Sequence, residues 1–284
     1  MKKRITLLFC LFILCCFAIY SKINDNYTIP IEYQRFYVSS NYKDENAYIA
    51  HGGGINEYNG TNSLQSVQNS IKNGFKFIEI DMLETSDGYI VGSHDWKKLK
   101  KLTNYPKIND RPLSLKEVNN LKINGKFDVI TGADIKNIME QNQDLILVTD
   151  KIKNYDLLLK EIPYPERMIV EVFSAQDYFR ALKTGIKYPA YCIWNIEKYK
   201  EARKFQFPIV TMDAKKFFQT EETIQMVQQL HNSKVTILLF YTSFPQRDKP
   251  EWVKQYLGKT VSKIYTDTWS PHNLPHSVPT MSKE

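Results

Sequence analysis

Cysteine is scarce where it would matter for folding. Of four cysteines, Cys10, Cys15 and Cys16 lie in one apolar run near the N-terminus, leaving Cys192 alone in the rest of the chain. One thiol forms no intradomain disulfide, so a disulfide-stapled scaffold is excluded and Cys192 reads as a core residue. Also missing is any basic stripe interleaved with aromatics, despite a net charge of +7, so no nucleic-acid groove is expected. Histidine is rare too: His231, His272 and His276 fall in helix ends or the C-terminal tail and receive no chemistry, which leaves His51 and His94. No obligate protein partner is inferred.

Long apolar runs are limited to one. Lys2, Lys3 and Arg4 precede the uninterrupted stretch from Ile5 to Tyr20, the charge placement of an export signal or a retained anchor with its basic end in the cytoplasm. Residues 1–22 therefore read as a signal peptide or N-terminal membrane anchor. Residues 23–46, rich in Asn, Tyr and Ser, read as a linker, and residues 47–284 as the folded unit with a short tail. The expected location is exported or membrane-anchored, with the folded unit on the extracytoplasmic side and the membrane as partner through the N-terminal segment.

What is present is regular alternation. AYIAH, FKFIEIDM, DLILVTD, RMIVEVF, PAYCIWN, PIVTMDA, KVTILLFY and SKIYTDTW are strand-like, and helical patterns such as TEETIQMVQQLHNS, with Ile224, Val227 and Leu230 in step, separate them. About eight strands in this arrangement predict an α/β fold, a parallel (β/α)8 TIM-type barrel preceded by the N-terminal hydrophobic segment. Barrels of this kind hold their sites at the C-terminal ends of the strands. His51, Glu79, Asp81, Asp150, Glu171 and Trp269 all fall at or near those ends.

The stretch from Tyr48 to Trp96 concentrates the chemistry. His51 stops the first apolar run before Gly52, Gly53 and Gly54, where backbone approaches something closely. Phe77, Glu79 and Asp81 share one face of the next strand because side chains alternate with period two. Two carboxylates on one face repel unless a cation lies between them, and oxygen ligands suit Mg²⁺ or Ca²⁺ better than zinc. The turn at Thr85, Ser86, Asp87 and Gly88 then leads to His94 and Asp95. The lysines that follow, Lys97, Lys98, Lys100 and Lys101, read as a solvated face.

This ordered set resembles the glycerophosphodiester phosphodiesterase family, whose pattern runs His-Arg-Gly, Glu-Asn-Thr, Glu-x-Asp, Thr-x-Asp-Gly and His-Asp. The counterparts are His51-Gly52-Gly53, Thr61-Asn62-Ser63, Glu79-Ile80-Asp81, Thr85-Ser86-Asp87-Gly88 and His94-Asp95. Tyr265-Thr266-Asp267 resembles the family's last strand. The resemblance implies a metal-dependent phosphodiester hydrolase with His51 and His94 as acid and base. Glu79, Asp81 and Asp150 would hold a divalent cation, Mg²⁺ or Ca²⁺. Two positions depart from the pattern: Gly52 replaces an arginine that contacts phosphate, and Thr61 replaces a glutamate. Lys151 or Lys153 is expected to take over phosphate contact, with Gly52, Glu171 and Trp269 as further substrate contacts. The substrate is a phosphodiester such as a glycerophosphodiester, a lipid headgroup or a surface glycan phosphate. Two alternatives accompany this reading: a cyclising phospholipase C-like enzyme, and a non-catalytic barrel that binds phosphorylated glycans or headgroups.

Overall fold

A computed structural model describes residues 42–240 and 249–273. The N-terminal segment 1–22, most of the linker and His276 lie outside the described residues. The barrel strands are β1 (Tyr48–Ala50), β2 (Phe77–Glu84), β3 (Ile146–Asp150), β4 (Met168–Val172), β5 (Tyr188–Ile193), β6 (Ile209–Asp213), β7 (Thr236–Phe240) and β8 (Lys263–Thr266). Each pairs in parallel with its sequence neighbour, and β1 also pairs with β8, Tyr48 opposite Ile264, which closes the cylinder. The expected closed (β/α)8 barrel is what the chain forms.

Helices α1 (Leu64–Lys72), α2 (Trp96–Leu102), α3 (Gly132–Gln141), α4 (Tyr155–Glu161), α5 (Ala175–Thr184), α6 (Ile196–Phe205), α7 (Glu221–Asn232) and α8 (Pro250–Tyr256) connect the strands. Local sequence sets several of their starts. Ser63 and Ser66 form a reciprocal cap on α1, Thr131 and Asp134 on α3, and Thr220 and Thr223 on α7. Each such cap stabilises its helix by about 1 kcal/mol. Helix α5 ends at Gly185, whose φ of 109° turns the chain out of the helix.

Strands β3 to β6 are buried along their whole length because helices cover one face and the barrel interior the other. Alternate residues such as Ile78, Ile80, Val170, Val172, Met212 and Leu239 join the shell between barrel and helices. The other parity points inward. Between β2 and α3 the chain makes an excursion, with a strand at Ile90–Gly92 antiparallel to β2 and a small hairpin at Lys122–Ile123 and Phe127–Asp128. A satellite core of Val91, Trp96, Leu99, Leu113, Val118, Ile123, Phe127 and Val129 holds it together.

One expectation about this excursion is corrected. Lys100 is not on a solvated face: it is fully buried, and its Nζ donates to Asn109 Oδ1 at 2.6 Å and to the Arg111 carbonyl at 2.7 Å. Its ammonium anchors the loop from Thr103 to Arg111, because a buried charge is tolerated only when hydrogen-bonded. Among the described residues no helix is long and apolar enough to cross a membrane.

Candidate active site

The inward parity of the strands brings the acidic residues together. Asp81 on β2 lies directly opposite Asp150 on β3 in the ladder, and Glu79 stands one inward position below Asp81. One oxygen from each of Glu79, Asp81 and Asp150 lies within 4.8 Å of the others, and all three residues are buried. Glu171, at the end of β4, lines the same cleft, but its two oxygens accept from the Tyr265 hydroxyl and, at 3.2 Å, from Thr211 Oγ1.

Backbone and amide groups fix the carboxylates. Gly52 N donates to Glu79 Oε2 at 2.7 Å. Asn62 grips Asp81 twice: its Nδ2 donates to Asp81 Oδ2 at 2.9 Å, and its Oδ1 accepts from Asp81 N at 3.0 Å. Lys151 supplies the cationic group, with Nζ 2.5 Å from Asp150 Oδ2 and 3.7 Å from Asp81 Oδ1. Its φ of 62° is unusual for a residue with a side chain, and it turns the ammonium back over the strand end. Lys153 is exposed and is not in the cleft wall.

Burial, followed by the neighbouring carboxylates, pushes Glu79 and Asp150 well above the usual carboxylate range. For Asp81 burial acts in the same direction, but hydrogen bonding with Asp150 and the charge of Lys151 outweigh it, so the net shift is downward. Four buried carboxyls thus face one ammonium. Asp150 Oδ1, moreover, is buried with no hydrogen-bond partner. An orphaned buried oxygen is costly, and a hard cation shared by Glu79, Asp81 and Asp150 would satisfy it. The residues therefore fit a divalent ion.

Both histidines line the cleft. His51 Nδ1 lies 2.9 Å from Asp267 Oδ1, and its ring meets Tyr265 edge-on at 6.1 Å. A carboxylate only accepts, so the ring proton sits on Nδ1 and Nε2 is left with a free lone pair. His94 repeats the device locally, its Nδ1 lying 2.9 Å from Asp95 Oδ2, while Asp95 Oδ1 caps α2 through Lys98 N at 2.6 Å.

The other sequence candidates fall elsewhere. Gly52 sits at φ 55°, and a Cβ there would come within 2.6 Å of Gly60 Cα, so backbone occupies the space a side chain would need. The Thr61 hydroxyl is satisfied by Ser63 Oγ at 2.9 Å and the Tyr58 carbonyl at 2.8 Å. Trp269 packs on the barrel core and does not line the cleft. Cys192 is buried as expected, and it also faces the cleft. The pairing of Asp267 with His51 and the cleft positions of Phe173 and Phe240 had no local signal. Asp267 follows β8 immediately, and the resemblance of Tyr265-Thr266-Asp267 to the family's last strand marked the position without giving it a role.

A closed barrel that gathers in one cleft two imidazoles and three buried carboxylates able to hold a metal ion defines a class: a TIM-type barrel with its site at the strand ends. The sequence matches the glycerophosphoryl diester phosphodiesterase family over residues 51–267. Solved structures agree on the fold. A glycerophosphoryl diester phosphodiesterase from Parabacteroides distasonis is 17% identical, with TM-score 0.62 over 82% of this chain and 86% of that one. The glycerophosphodiester phosphodiesterase of Thermotoga maritima is 18% identical, with TM-score 0.59 over 78% and 94%. A phosphodiesterase from Oleispira antarctica, solved with its product sn-glycerol-3-phosphate, is 16% identical, with TM-score 0.59 over 82% and 95%. No curated protein sequence matches. The chain belongs to the glycerophosphoryl diester phosphodiesterase family and is a phosphodiesterase.

Proposed function

We propose that the protein hydrolyses glycerophosphodiesters, using His51 and His94 for proton transfer and a divalent ion, Mg²⁺ or Ca²⁺, held by Glu79, Asp81 and Asp150. The observation that carries this reading is the convergence of both imidazoles on the cleft that holds the carboxylate triad. The ion, when bound, neutralises phosphate charge and lowers the pKa of the attacking oxygen.

The chain's own residues do the rest. Asp267 and Asp95 hold the two imidazoles with Nδ1 protonated, so each ring keeps Nε2 as its proton acceptor. One ring takes the proton of the nucleophile and the other protonates the departing alkoxide, the two halves of general acid–base catalysis. Lys151 supplies the positive charge that Gly52 lacks, within reach of a phosphate bound against Asp81 and Asp150. The sn-glycerol-3-phosphate held by the Oleispira antarctica relative supports a glycerophosphodiester as substrate.

The test is alcohol release from a panel of glycerophosphodiesters, first with EDTA and then with Mg²⁺, Ca²⁺ or Mn²⁺ restored. Turnover lost to EDTA and regained with one of these ions is the expected result. Turnover that persists in EDTA would reject the metal-dependent mechanism.

A further inference from the structure

The cleft has two chemically different walls. The ends of β1 to β3 carry His51, Glu79, Asp81, Asp150 and Lys151, while the sector from the end of β4 to β7 presents Phe173, Cys192 and Phe240. Glu171 lies in that sector too, each of its oxygens accepting one hydrogen bond, from Tyr265 and from Thr211. Phe173 and Phe240 are only partly buried, and both line the cleft.

We propose that the aromatic sector is a subsite for one of the two alcohols of the diester, and that this alcohol carries an uncharged apolar body, an alkyl or acyl chain. The inference rests on the phosphodiesterase reading above and specifies its substrate. A polyol placed there would bring several hydroxyls to two phenyl rings and a thiol, a weak donor, with Glu171, which already accepts from Tyr265 and Thr211, as the one strong acceptor. An apolar chain loses nothing there and leaves water.

The cation-binding faces of the nearby rings are already in use. Lys151 Nζ lies 5.7 Å from the centre of the Phe173 ring, and Lys198 Nζ lies 5.3 Å from that of Trp194, which packs on Phe173 at 5.9 Å. Both aromatic faces thus already carry an ammonium group, each paired with a carboxylate, Lys151 with Asp150 and Lys198 with Glu201. The surface is also continuous with the reacting groups. Phe240 meets Tyr265 edge-on at 6.4 Å, and Tyr265 meets His51 edge-on at 6.1 Å. An alcohol lying along Phe240 is therefore brought alongside the His51 imidazole.

The experiment is a binding ladder read by calorimetry. The full chain in lipid nanodiscs, loaded with Mg²⁺ or Ca²⁺, is titrated with glycerol 3-phosphate and with butyl, hexyl and octyl phosphate below their micelle concentrations. Empty nanodiscs control for partition into lipid. Affinity is expected to rise about threefold to fourfold per methylene until the slot is full. Phe173→Ala and Phe240→Ala should each flatten the ladder, and circular dichroism checks that they fold. A ladder that is flat or falls with chain length in the unmodified protein overturns the proposal without reference to any variant. Diester cleavage with a flat ladder defeats this inference alone. A rising ladder in a protein that cleaves no diester under any metal supports the subsite and defeats the proposed activity instead.

Discussion

His51 Nδ1 and Asp267 Oδ1 lie 2.9 Å apart although 216 residues separate them in sequence. The closure of β1 against β8 makes this contact, pairing Ala50 with Thr266 and so bringing the next residue of each chain segment to the same rim. Asp267→Asn keeps the size of the side chain but allows it to donate, which frees the imidazole to adopt the other tautomer. The expected result is a fall in kcat of at least about tenfold with KM little changed, against about 10²- to 10⁴-fold for His51→Ala. Steady-state kinetics checks both, and wild-type kcat in Asp267→Asn would remove Asp267 from the mechanism.

Restoring the arginine of the family pattern at position 52 should fail. Gly52 is left-handed, with φ 55°, and any Cβ meets Gly60 Cα at 2.6 Å. Left-handed backbone alone costs a substituted residue about 1–2 kcal/mol, and the contact adds to it. Gly52→Arg and Gly52→Ala are therefore both expected to lower Tm by several degrees. A Gly52→Arg protein with raised Tm or raised kcat/KM would contradict this account of the departure.

Metal binding and pH are linked through the triad. Glu79 and Asp150 have raised pKa values, so the folded metal-free protein binds more protons than the unfolded chain. Their contribution to stability is complete below the unfolded carboxylate pKa of about 4 and is lost as pH rises through the folded values. Ligation requires the same protons to leave, so metal affinity should increase with pH. Melting curves from acid to neutral pH, with EDTA and with metal, are expected to diverge as pH rises, and Glu79→Gln should suppress most of the divergence. A metal-induced gain in Tm that is the same at every pH would argue against these ligands.

At the other end of the barrel, Lys263 is buried beside Phe77, with Nζ donating to the Asn46 carbonyl at 2.6 Å. Burial pushes its pKa down to about 8. The folded state gives up this proton before the unfolded state does, so stability rises as pH climbs from about 8 to the ordinary lysine value near 10.4. Holding the charge at neutral pH costs roughly 3 kcal/mol. Lys263→Met removes that cost and loses one hydrogen bond worth about 1 kcal/mol. The variant should be more stable than wild type near pH 7 and lose the advantage above about pH 10, as read by urea denaturation. A pH-independent difference would show that the ammonium is not desolvated there.

Sequence by itself determined the fold class and the inward carboxylates. Alternation of strand and helix forces parallel strands with helices on the outer face, and the two-residue period of β2 commits Glu79 and Asp81 to one side. His51, His94 and Asp150 were legible for the same reason, since each stands where an apolar run stops and a barrel exposes its strand ends. Tertiary structure decided what depends on closure and on distance in sequence. It seated Asp267 behind His51 and set Asp81 opposite Asp150. Phe173 and Phe240, from β4 and β7, came to one cleft, and Lys151, not Lys153, reached the carboxylates. No local pattern encodes such pairings, because they follow from the register of strands that only the closed barrel makes neighbours.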